Sequence, residues 1–96
     1  MDNIELDKID SFLDEVGERF EEPLLYPTDL KEAVIGIVEH FTFGHPLILM
    51  DRERCLDIMC NRDGMSREDA EEHFEFNVIG SFMEGVPAFA TLIDDF

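Results

Sequence analysis

The sequence predicts an α+β domain: about four helices packed on a short two-stranded β-ribbon. Three observations carry that prediction. Long stretches place apolar residues three and four apart with acids between them, the pattern of amphipathic helices. Two short apolar runs each begin beside a proline, HPLILMD at 45–51 and VPAFATLID at 86–94, and suit strands better than helices. The 96 residues are 45% hydrophobic and include nine phenylalanines, enough for one core in a single domain over 1–96.

The elements follow in order. Over residues 4–22, Ile9, Phe12, Leu13, Val16 and Phe20 share one helical face. Asp7, Asp10, Asp14, Glu18 and Glu21 repeat on the opposite face, with Glu15 and Glu22 beside them. Pro23 stops this acidic helix, leaving 28–96 as the α+β core, and the apolar linker EPLLYP is expected to lie against that core. Thr28 or Asp29 is a natural N-cap for a second helix, with Glu32 placed for a capping box. Leu30, Val34, Ile37, Val38 and Phe41 form its apolar stripe, and Gly44 follows its end.

The first strand comes next, and Asp51 is expected to cap a third helix with Cys55, Leu56, Ile58 and Met59 as its apolar positions. Gly64 stands where a left-handed C-terminal residue is wanted. Ser66 opens a fourth helix that runs to about Met83. It is acidic at first and apolar around most of its girth later, at Phe74, Phe76, Val78, Ile79, Phe82 and Met83. Gly85 ends it before the second strand, which pairs with the first. A two-stranded ribbon is marginal by itself. It therefore needs backing helices or a partner's strand, and homodimerisation is expected through a strand edge or the apolar end of the fourth helix.

Charge excludes several functions. Twenty-four acids against seven bases give a net charge of −17 and a pI near 4.1. Seven scattered cations cannot displace counterions from nucleic acid against that field, and anionic membranes are disfavoured for the same reason. The beginning of the sequence has neither a basic segment nor an apolar one, and no apolar run is long enough to cross a bilayer. A soluble, cytoplasmic chain is expected. Cys55 and Cys60, five apart on a helix, point about 140° away from each other. They are read as buried small hydrophobes without a disulfide.

Spacing rules out several chemical motifs. Residues 55–74 have the outline of a helix-turn-helix with Ala70 and Phe74 inward. Its reading helix, however, offers Arg67 followed by Glu68, Asp69, Glu71 and Glu72, which a DNA groove would repel. With Gly64 at position six, an EF-hand would need Met59 and Ala70 as ligands, so Asn61-Arg62-Asp63-Gly64 is no calcium loop. His73-Phe74-Glu75 has the spacing of a zinc deaminase but no P-C-x-x-C follows. Asp69, Glu72 and His73 make a weak divalent-metal candidate, with a surface histidine beside carboxylates as the plainer reading. No catalytic constellation and no cofactor motif is present, so a non-enzymatic protein is expected.

The acidic faces are the strongest candidate. Carboxylates three and four apart on a helix lie ~4.5–6 Å apart along its axis. That approaches the spacing of phosphates on a nucleic-acid strand. Such a row can occupy the basic groove of a nucleic-acid-handling protein as a mimic of its substrate. The candidate partner-binding residues are Asp7, Asp10, Asp14, Glu18 and Glu21 on the first helix, with Glu68, Glu71, Glu72 and Glu75 on the fourth. The alternatives are an accessory homodimer whose acids only confer solubility, a salt-adapted surface, and the weak metal-binding domain.

The segment DRERCLDIMCNRDGMSREDAEEHFEFNVIG, 51–80, resembles a group of short phage and bacterial proteins with no assigned activity. The resemblance rests on Asp51, Arg52, Cys55, Arg62-Asp63-Gly64-Met65-Ser66, Ala70 and Phe74-Glu75-Phe76-Asn77, with Pro87-Ala88-Phe89 following. It covers the chain from about residue 34 and implies a compact domain of phage or mobile-element origin. The link Glu84-Gly85-Val86 is shorter than in that group. Within the segment, Asn77 is expected to hydrogen-bond in the buried part of the last helix. Arg62 and Asp63 are expected to tie the turn, pairing with Asp51 or Asp57.

Overall fold

The computed structural model describes residues 3–20, 24–39, 44–79 and 87–95, which build an α+β fold. Helix α1 spans Asn3–Phe20, a 3₁₀ turn covers Thr28–Ala33, and strand β1 follows at Val34–Val38. Strand β2 (Leu47–Asp51) leads directly into α2 (Arg52–Asp63), then α3 (Arg67–His73), whose axis continues as π-helix over Phe74–Ile79. Strand β3 (Ala88–Ala90) and a 3₁₀ turn at Ile93–Asp95 complete the described fold. The sheet order is β1-β2-β3, with β1 antiparallel and β3 parallel to the central β2.

Two expectations are corrected. The sheet has three strands, not two, because the stretch expected as a second helix is a 3₁₀ turn followed by β1. The β-branched run Val34-Ile35-Gly36-Ile37-Val38 favours a strand, and a bulge hides its period. Val34 lies opposite Met50 and Gly36 opposite Leu49, so Ile35 is the extra residue. Val34 and Ile37 consequently both face the core, three apart as on a helix, with Ile37 opposite Ile48. The 3₁₀ turn is entered from Pro27, with no side-chain cap from Thr28 or Asp29.

The punctuation of the second half falls where local chemistry puts it. The Asp51 carboxylate accepts a hydrogen bond from the Arg54 N–H at 3.3 Å and caps α2. Gly64 ends α2 in the left-handed region (φ 72°), and the N–H groups of Gly64 and Met65 both reach the Met59 carbonyl. The Ser66 hydroxyl accepts from the Asp69 N–H at 3.1 Å and starts α3.

The core joins Leu30 and Ala33 of the 3₁₀ turn to Val34, Ile48 and Met50 of the sheet. Cys55, Leu56, Met59, Ala70 and Phe74 complete it from the α2–α3 side. Phe74 meets Phe89 of β3 edge to face at 4.9 Å, and the Arg52 guanidinium lies 5.2 Å from the centre of its ring. Two positions apart, Phe74 and Phe76 take nearly opposite sides of the helix: Phe74 is buried while Phe76 is 72% exposed, not wrapped inward as expected. From the linker, Leu24 and Tyr26 pack on the core, whereas Leu25 is exposed. Helix α1 lays Ile9, Phe12 and Leu13 against the same core, with Val16 buried. Glu21, Phe41, Phe82, Met83 and Gly85 lie outside the described residues, as does the Asn77 side chain.

Candidate functional site

On α1, Asp7, Asp10, Asp14 and Glu18 are all exposed, on the side away from the core-facing Ile9, Phe12 and Val16. They are not equivalent. The Lys31 ammonium lies 2.7 Å from the Asp10 carboxylate, and that hydrogen bond raises the lysine's pKa above its ordinary value. Asp7, Asp14 and Glu18 make no ion pair with any described residue. Arg19, one of the two cations on this helix, is taken by Glu15 at 3.2 Å.

The second acidic group is also divided. Arg67 is clamped between Glu53 at 2.6 Å and Glu71 at 3.1 Å, and Arg52 reaches Glu75 at 3.2 Å. Glu68 and Glu72 are exposed and make no such pair among the described residues. The start of α3 therefore presents bare carboxylates, with its one arginine already occupied. Arg62 pairs with Asp63 at 2.9 Å, and its guanidinium also donates to the Asp29 backbone carbonyl. It ties the end of α2 to the 3₁₀ turn instead of reaching Asp51 or Asp57. The hydrogen-bonded Arg62 guanidinium holds the Asp63 carboxyl below its ordinary pKa.

Asp69, Glu72 and His73 do come together around a shallow groove with Met65 and Phe76. Among the described residues, however, no three His, Cys, Asp or Glu side chains are placed to hold a metal ion. Cys55 is fully buried, and desolvation, aided by Asp51 and Asp29, pushes its thiol up to about 12. Cys60 is half-buried, and both thiols are free. No described helix is long and apolar enough to cross a membrane.

Sequence reasoning missed a cleft of about 540 Å³ between α1 and the stretch holding Leu24 and Tyr26. The buried Val16 and Ile48 form its floor, and Leu13, Gly17, Leu24 and Tyr26 line its walls. Asp14 and Glu18 stand at its edge. The only trace of it in the sequence is a glycine inside an otherwise regular helix. No family model, curated protein or solved structure matches this chain.

Proposed function

We propose that this is a small, acidic, non-enzymatic interaction protein of phage or mobile-element origin, which binds a basic protein partner through its acidic helix faces. One observation carries the reading. Among the described residues, five of the seven Lys and Arg side chains are spent on internal ion pairs, yet Asp7, Asp14 and Glu18 on α1 receive none. Glu68 and Glu72 extend the same character to α3. Bare like charges on a helix repel and cost stability. A partner that supplies the missing cations relieves that cost and is steered inward by the net charge of −17. A nucleic-acid-handling protein has the required basic groove, and the row of carboxylates then acts as a mimic of its substrate.

The test is affinity capture on the immobilised protein across a salt series. A partner of this kind is retained near 0.05 M salt and released by ~0.5–1 M, where the screening length shrinks to a few ångströms. The triple variant Asp7→Lys, Asp14→Lys, Glu18→Lys abolishes capture while leaving the far-ultraviolet circular dichroism unchanged. Capture that is insensitive to salt, or that survives the charge reversal, refutes the reading.

An accessory homodimer is the second reading, favoured by β1. Among the described strands it is a sheet edge, it carries no charged side chain, and its Ile35 is 41% exposed. In a chain this acidic, a neutral edge is where two copies can meet without repulsion. Sedimentation at low and high salt decides it: a dimer that strengthens with salt supports this reading, and a monomer throughout dismisses it.

A further inference from the structure

We infer that the cleft beside α1 is the anchoring pocket for the basic partner, taking an apolar side chain whose neighbouring Lys or Arg is held by Asp14 and Glu18. The inference rests on the partner reading above and deepens it by giving the acidic face a point of attachment. Charge alone steers association and confers little geometry, whereas interfaces draw most of their affinity from a few side chains seated in pockets. The cleft supplies the missing element: its volume of about 540 Å³ lies within the range of sites that enclose organic groups. Its walls are Leu13, Leu24 and Tyr26, and its edge carries two carboxylates that make no ion pair among the described residues. That is complementary to a group with an apolar body and a cationic flank.

Gly17 points the same way independently. Glycine inside a helix is destabilising relative to alanine, and it is usually explained by a close approach that leaves no room for a side chain. Here a Cβ added at Gly17 would meet nothing within 4 Å. Packing does not require the glycine: it lines open space, the cleft itself, which only a larger side chain at this position would fill. By helical rotation of ~100° per residue, it lies between the apolar face at Leu13 and the acidic face at Asp14 and Glu18. The opening thus joins the two surfaces a basic, partly apolar partner has to engage.

The experiment uses two fluorescent pentapeptides, Lys-Arg-Phe-Lys-Arg and Lys-Arg-Ser-Lys-Arg, titrated against the intact protein at low salt. The Phe peptide is expected to bind about ten-fold more tightly than the Ser peptide. Gly17→Leu brings that ratio down towards one, and Asp14→Asn with Glu18→Asn weakens both peptides. In nitrogen–proton correlation spectra of the native protein, the Phe peptide shifts the Leu13, Gly17 and Tyr26 amides. Equal affinities for the two peptides overturn the cleft and leave the acidic-face reading standing. A ratio unaltered by Gly17→Leu, or amide shifts centred on Phe76, also overturns the cleft alone. Failure of both peptides to bind overturns the acidic-face reading and the pocket with it.

Discussion

Replacing Gly17 and Gly64 separately by alanine is expected to shift stability in opposite directions, although both positions have space for the added methyl group. Neither built Cβ meets anything within 4 Å, so sterics against neighbours predict no difference between them. The backbone does. Gly17 sits within α1, where alanine is favoured over glycine by ~0.8–1 kcal/mol through lost chain entropy in the unfolded state. Gly64 sits at φ 72°, ψ 17°, where a Cβ crowds the following carbonyl and costs ~1–2 kcal/mol. For a domain of this size each kcal/mol moves the melting temperature by ~4–8 °C. Thermal unfolding followed at 222 nm should therefore place Gly17→Ala about 3–8 °C above the native protein and Gly64→Ala about 4–16 °C below it. Urea titration should return the same signs with unchanged slopes. A destabilised Gly17→Ala would mean that the space beside α1 is filled, which refutes the open cleft. A neutral Gly64→Ala would refute the left-handed C-cap.

Other outcomes follow from the same structure. Asp51→Ala should cost ~1 kcal/mol in urea unfolding by uncapping α2, while Asp51→Asn, whose amide oxygen still accepts from the Arg54 N–H, should retain most of the native stability. Phe74→Leu should cost ~1–3 kcal/mol, because it forfeits the edge-to-face contact with Phe89 and the Arg52 contact together; a loss below 0.5 kcal/mol would contradict that packing. Disulfide-exchange reagents at pH 8 should modify the Cys55→Ser variant at its remaining thiol and leave Cys60→Ser untouched until it is denatured, because the Cys55 thiol ionises only near 12. Asp95 has its pKa raised above 3.8 by desolvation and by the nearby Asp51 and Glu53. Its protonated form therefore stabilises the fold below pH 3.8, and that stability is lost as pH rises through the folded value. Asp95→Asn should be more stable than the native protein at pH 7, and the gap should close below pH 3.8.

What the sequence disclosed and what it hid divide along the range of the interactions. The caps at Asp51, Gly64 and Ser66 were legible because each is made by a side chain or a backbone angle acting within three or four residues. β1 was not, because the bulge at Ile35 brings Val34 and Ile37 to one face and reproduces the spacing of a helix. The parallel partnership of β2 and β3 joins segments separated by two helices, and no local pattern encodes it. For the candidate site, the acidic face of α1 was plain from its period. That Asp10 is neutralised by Lys31, and Glu71 by Arg67 shared with Glu53, depends on tertiary placement. The cleft belongs to the space between elements, which periodicity does not describe.

Asp51 is at once the last residue of β2, the partner of Ala90 in β3 and the N-cap of α2. Strand, helix and parallel neighbour thus meet at one residue with no linker between them. Lengthening the chain there by a single residue would turn α2 by ~100°, carrying Leu56 and Met59 out of the core while shifting the register towards β3. The sheet and α2 consequently behave as one casting with no hinge at their seam. Any breathing that widens the cleft has to come from its other two sides: the Leu24–Tyr26 stretch, or α1, which packs on the core through its side chains and is tied to the 3₁₀ turn by the Lys31–Asp10 contact.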